Sequence, residues 1–320
     1  MKRFLFMMIT LSLSVCALFA GGEKEETANN GKPDVVAVNF PAYDFARQIA
    51  GDRVNLTMLL PPGAESHSFE PTPRDIIKIQ DCDVFIYTGG ETDVWVDRIF
   101  ESMDTSKKKI IRMMDAVDVV EEEIVEGMED DEDDHGHDHE DEEEAAYDEH
   151  VWTSPKNAQR IVRVIAEALC EADAADAAFF RRNADAYSVQ LDELDKEFQA
   201  VVNNAKRKTI VFGDRFPFRY FADAYGLTYF AAFPGCSTET EPSAATVAFL
   251  IGKIKAEKIP VVFHIELSNE KMADTIAEET GAKKRLLHAA HNISKRDVDN
   301  GVTFLEIQNA NVPNLKEALQ

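Results

Sequence analysis

The sequence predicts an α/β protein in which two parallel-sheet lobes are joined by a long, rigid connecting helix. Three observations carry that reading. β-rich runs alternate with helical patterns on both sides of the middle of the chain, the arrangement of parallel sheets covered by helices. Between them, Ala174 to Ala205 keeps a helical periodicity with neither proline nor glycine. A helix of about 30 residues would be about 45 Å long, too long for one small lobe. Finally, 320 residues of which 45% are hydrophobic are enough for two ordinary domains with real cores.

In chain order, Val35–Phe40 reads as a strand, Tyr43–Ile49 as a helix and Val54–Leu60 as a strand. Thr72-Pro73 reads as a helix cap followed by a first-turn proline, opening a helix to Gln80. Asp83–Thr88 is a predicted strand, Asp93–Met103 a helix and Lys109–Met113 a strand. Ser154-Pro155 opens a helical segment to Glu171, ahead of the long connector. The second lobe then alternates through Thr209–Phe212, Phe218–Tyr225, Thr228–Phe233, Ala244–Ala256, Pro260–Ile265, Lys271–Glu279 and Arg285–Leu287 to a C-terminal helix. The expected division is a signal segment over 1–20, a flexible leader over 21–32, a first lobe over 33–154, connecting helices over 155–205 and a second lobe over 206–320.

The first twenty residues read as an export signal: Lys2 and Arg3 precede an apolar run from Phe4 to Val15, too short for a permanent membrane span. Either Cys16 is a lipid-attachment cysteine or cleavage follows Ala20. Both place the mature protein outside the cytoplasm, periplasmic or tethered as a lipoprotein. Cys82, Cys170 and Cys236 remain, an odd number without CxxC spacing, so neither a disulfide framework nor a thiolate metal site is expected.

Residues 121–149 hold eighteen Asp or Glu, three histidines (His135, His137, His139) and no Lys or Arg. Such a block is expected to stay a solvated loop, and its imidazoles make it a weak accessory binder of divalent transition metals. The tract accounts for most of the net charge of −25. With no clustered basic face, nucleic acid is excluded as a partner.

The other histidines and acids of interest fall at loop ends. His67 sits in the proline-stiffened stretch Pro61–Pro71, after a predicted strand, where ligands of open α/β sheets bind. His150 directly follows the acidic tract. In the second lobe Asp214, Glu266, His288 and His291 all lie at strand ends, where a cleft between the lobes would form. His264 lies inside an apolar run and reads as a satisfied core histidine.

The loop around His67, the phrase Asp148-Glu149-His150-Val151-Trp152-Thr153-Ser154-Pro155 and the helix from Thr275 to Ala282 resemble the metal-specific solute-binding proteins of ABC importers, in the zinc and manganese uptake group. The resemblance covers nearly the whole mature chain. It implies capture of a divalent metal in the interlobe cleft, Zn2+ first and Mn2+ second, and delivery to a membrane permease and its ATPase by a monomer. By that resemblance His67 and His150 match the first two histidine ligands. The third family position falls on Gly213, followed by Asp214, and the fourth, acidic in the family, falls near His288. Glu266 matches approximately the glutamate of manganese-type relatives. The expected set is therefore His67 and His150 with His291 or His288, closed by Glu266 before Asp214. Two rival classes stand beside this: a metal buffer or adhesin binding through the acidic tract alone, and an exported zinc hydrolase, for which no HExxH, GxSxG or P-loop is present.

Overall fold

The computed structural model describes residues 31–128, 146–237 and 242–320. The signal segment with Cys16, most of the leader, and His135, His137 and His139 lie outside the described residues. Lys32–Gln320 forms one compact unit.

The first half is a parallel sheet. Strands β1 (Asp34–Ala37), β2 (Asn55–Met58), β3 (Val84–Tyr87) and β4 (Lys109–Arg112) lie in the order β2-β1-β3-β4, every pairing parallel. All four residues of β3 are buried, as expected of a strand covered on both faces. Helices α1 (Phe40–Ala50), α2 (Pro73–Asp81) and α3 (Val94–Phe100) make the crossovers. The expected first strand runs too far: Asn39 caps α1 through its side chain, which accepts from Ala42 N, so the helix already starts at Phe40. The Thr72-Pro73 signal holds, because Thr72 and Asp75 form a reciprocal capping box.

Helices α4 (Pro155–Ala172) and α5 (Ala177–Asn203) follow as a packed pair. The 27 residues of α5 match the predicted connector. Near its start Asn183 donates to the Ile49 carbonyl at 2.9 Å, at the end of α1. Three turns on, the Tyr225 hydroxyl meets Asp195 at 2.9 Å, and Phe198 stacks edge-on against Phe221. One helix thus packs against elements of both halves, and a single hydrophobic core runs past it from Val35 to Leu319.

The second half is assembled from shorter pieces. Strand β5 (Thr209–Val211) pairs with β7 (Thr228–Phe230), β6 (Arg215–Phe216) with β8 (Phe233–Pro234), and β9 (Val261–His264) with β10 (Lys283–Leu286), all parallel. A parallel bridge from Phe212 to Phe263 joins the β5 and β9 pairs. Helices α6 (Arg219–Tyr225), α7 (Ala244–Glu257), α8 (Lys271–Thr280), α9 (Lys295–Asp299) and α10 (Phe304–Leu319) complete it. The strand expected over Thr228–Phe233 is broken in two, and the sequence reading did not find β6 or α9. Their two and five residues are too short to show a period.

The middle of the acidic tract, 129–145, lies outside the described residues, and its C-terminal end departs from the solvated loop expected of it. Glu121 bridges Tyr147, the Tyr220 hydroxyl donates to the Asp148 carbonyl at 2.7 Å, and Asp148 and Glu149 are buried. Burial is tolerated because each carboxylate is hydrogen-bonded. Asp148 accepts from His150 N, and Glu149 accepts from the backbone and hydroxyl of Thr92.

Candidate metal centre

Three imidazoles converge where the two halves meet. One nitrogen each from His67, His150 and His291 lies within 4.8 Å of the others. Their ring centroids are 5.1 to 5.7 Å apart. They line a cavity of about 110 Å³ with Arg215, Gly235, Glu266 and Asn292. Pockets for organic ligands run to about 300–1,000 Å³, so this one suits an ion with a few waters.

Each histidine is aimed by its neighbours. His150 follows Asp148, whose Oδ1 accepts the His150 backbone N–H at 2.8 Å and lies 3.3 Å from Nδ1. That leaves Nε2, which is buried without a hydrogen-bond partner. A carboxylate on one ring nitrogen with the other free is the usual outer support of a metal-bound histidine. Nδ1 of His291 meets the Ser66 hydroxyl at 3.2 Å. Nδ1 of His67 is likewise buried and unpartnered. Orphaned buried polar atoms are costly, and two of them on residues that line one small cavity suit a cation as their partner.

The loop carrying His291 is held by Glu266, whose two oxygens accept from Ala289 N at 2.7 Å and His291 N at 2.9 Å. Between them Ala290 takes a left-handed backbone, φ 64°, rare for a residue with a Cβ. Asn292 then donates to the carbonyls of Pro61 and Ala64, both at 2.8 Å, tying this loop to the one bearing His67. Trp152, fully buried, lies 4.9 Å from the His291 ring and donates to the Ala289 carbonyl at 2.8 Å. Gly235 also lines the cavity. A Cβ there would lie 2.8 Å from the Phe216 carbonyl and 3.2 Å from the His150 ring, so only glycine allows this approach.

The remaining sequence candidates sit outside the imidazole cluster. His288 accepts from Ala290 N at 3.0 Å and lies 3.3 Å from Glu266. Asp214 accepts from Arg215 N and, at 3.2 Å, from Ile265 N. Glu266 lines the cavity while both its oxygens hold backbone. His264 ends β9, with Nδ1 at 3.1 Å from the Ile265 carbonyl. Two residues near the site were missed. Arg215 pairs with Glu65 at 3.1 Å at the cavity wall. Cys236 lies within ligand reach of His67 and Glu149. An isolated cysteine without CxxC spacing gave no signal for that role.

The three rings differ in basicity. Burial, reinforced by His150 and Arg215, drives His67 well below the usual histidine range, and burial with His67 and His150 does the same for His291. For His150 burial also acts downward, but Asp148, with Glu149 and Glu122, outweighs it and raises the ring above its ordinary value. Burial pushes Glu149 up to about 7, against the opposing hydrogen bonds from Thr92.

A family profile described as "Zinc-uptake complex component A periplasmic" matches residues 35–318. The chain belongs to this ZnuA family. It is 34% identical over 316 residues to the high-affinity zinc uptake system protein ZnuA of Bacillus subtilis, an alignment covering 98% of this chain and 97% of that one. It is 33% identical to the zinc-binding lipoprotein AdcA of Streptococcus pneumoniae, covering 96% of this chain and spanning 60% of that longer protein. Among solved structures, the Zn(II)-bound ZnuA-like domain of S. pneumoniae AdcA superposes with a TM-score of 0.73 at 29% identity, over 90% of this chain and 99% of that one. The metal-dependent lipoprotein YcdH of B. subtilis gives 0.76 at 30% identity, over 90% and 100%. The α/β fold of the ZnuA-like solute-binding proteins is thus the fold of this chain, and the family is one of solute binders rather than enzymes.

Proposed function

We propose that this protein captures Zn2+ outside the cytoplasm and delivers it to an ABC-type permease and its ATPase, with His67, His150 and His291 as nitrogen ligands. The observation that carries the reading is the convergence of three imidazoles, two with orphaned buried nitrogens, in a cavity sized for an ion. Three nitrogen donors suit zinc, whereas manganese favours oxygen-rich shells. Glu266 positions the His291 loop, and solvent takes the fourth place. An open position keeps the ion exchangeable, as a carrier needs. Export through the basic, apolar start of the chain, with Cys16 acylated or cleavage after Ala20, places the protein where such capture happens. No helix among the described residues is long and apolar enough to cross a membrane.

Calorimetric titration of metal-free protein should show one tight zinc site, and deleting 129–144 should leave it while removing weaker binding. Gathering a run of like-charged side chains around a metal costs conformational entropy and keeps the affinity low. Loss of the tight site on that deletion would instead support a buffer that binds through the acidic tract.

Zinc binding should weaken in acid with His150 as the controlling group. His67 and His291 are already neutral at pH values where His150, raised by Asp148, still holds a proton. Below the His150 pKa the ion must displace that proton, so affinity should fall by about tenfold per pH unit. Asp148→Asn should move the onset of this fall to lower pH. In the metal-free protein the sign for His150 is opposite: its raised pKa stabilises the fold at low pH, and that contribution is lost as pH rises through the folded value. Affinity that stayed flat from pH 8 down to about 5 would contradict the ligand assignment.

A further inference from the structure

His67 belongs to a second group of potential ligands. One atom each from His67, Glu149 and Cys236 also lies within 4.8 Å of the others, so His67 is shared between this group and the one with His150 and His291. The geometry is built. Glu149 is buried next to His150 in the chain, with its carboxylate held by Thr92 N at 2.9 Å and by the Thr92 hydroxyl. Each oxygen keeps a further lone pair. A Cβ at Gly90 would come within 2.4 Å of Glu149 Oε1, so the glycine makes room for this side chain. Cys236 follows the cavity-wall residue Gly235, has its backbone N–H fixed by Glu122 Oε1 at 3.0 Å, and carries a free thiol. The shared corner, His67, has a buried Nδ1 with no hydrogen-bond partner.

We propose that His67, Glu149 and Cys236 form a second coordination position beside the three-imidazole site, one that takes thiophilic divalent ions such as Cd2+. The charge balance favours it. Three neutral imidazoles leave a divalent ion with its whole charge in a buried place, whereas a thiolate, a carboxylate and an imidazole neutralise it. Sulfur also selects softer ions than imidazole alone. On binding, the Cys236 S–H bond breaks, a sulfur–metal bond forms and its proton leaves to solvent, as does the proton of any Glu149 carried as the neutral acid; no electrons are transferred. The inference rests on the placement of His67 and does not depend on the transport reading.

Cadmium reports directly, because thiolate ligation produces a sulfur-to-cadmium charge-transfer absorption in the ultraviolet that imidazole and carboxylate ligands do not. In metal-free, full-length His150→Ala/His291→Ala protein, added Cd2+ should develop this band and saturate at one equivalent. Adding Cys236→Ser should abolish it, while Cys82→Ser and Cys170→Ser should not. If circular dichroism shows the double variant unfolded, His291→Ala alone serves with the same expected outcome. No band, or a band that survives Cys236→Ser, overturns the proposal. A missing band together with an intact zinc titration of the native protein would defeat this position alone and leave the three-imidazole site standing.

Discussion

Replacing His291 with alanine is expected to lower zinc affinity by more than about a hundredfold, since loss of an outer-shell partner alone typically costs about 10–100-fold. His291 supplies one of the three converging nitrogens, and its ring meets the Ser66 hydroxyl through Nδ1 and packs edge-on against Trp152. His288, three residues earlier, should behave differently. Its Nδ1 is engaged by Ala290 N and Glu266, so His288→Ala should change affinity by less than about tenfold, through the loop alone. Glu266→Gln should fall between the two, because it weakens the grip on the His291 backbone without removing a ligand. Competition against a chelator of known zinc affinity separates the three. Equal losses for His288→Ala and His291→Ala would mean that both ligate or neither does.

Gly213→His, which would restore a histidine at the position where the family resemblance places one, is expected to destabilise the protein without tightening zinc binding. A Cβ at Gly213 would lie 2.7 Å from Ala273 Cα and 2.9 Å from Ala273 N. These are backbone atoms of α8, which cannot rotate aside, and the Gly213 N–H is itself bonded to the Phe263 carbonyl at 2.8 Å. Forcing a side chain into such a contact costs about 1–3 kcal/mol or more. Urea denaturation of the metal-free variant measures this. Unchanged stability with higher zinc affinity would show that the second half can house the family's usual ligand after all.

Much of this was legible in the sequence for identifiable reasons. The Thr72-Pro73 cap, the proline-stiffened loop around His67 and the breaker-free stretch behind α5 are local signals, and each appears where local chemistry puts it. What the sequence left open was decided at a distance. The proposed preference for His291 over His288 rests on the left-handed Ala290 and the two backbone bonds to Glu266, neither of which has a spacing signature. Gly213 read as a missing ligand, and the structure adds that α8 packs against it. Asp148 and Glu149 carried the composition of a solvated acidic run, yet they are buried because Thr92, Tyr220 and His150 come from far or near to bond them. Cys236 gave no sign of a thiolate site in the sequence because its neighbours in space, His67 and Glu149, are far away along the chain.

The most direct test of the central claim is anomalous scattering at the zinc edge from crystals of the full-length protein loaded with one equivalent of zinc. The account predicts a single strong peak within bonding distance, about 2.0–2.1 Å, of one nitrogen each from His67, His150 and His291. A peak bonded instead to His288 or Asp214, or found only against the histidines of the acidic tract, would contradict it.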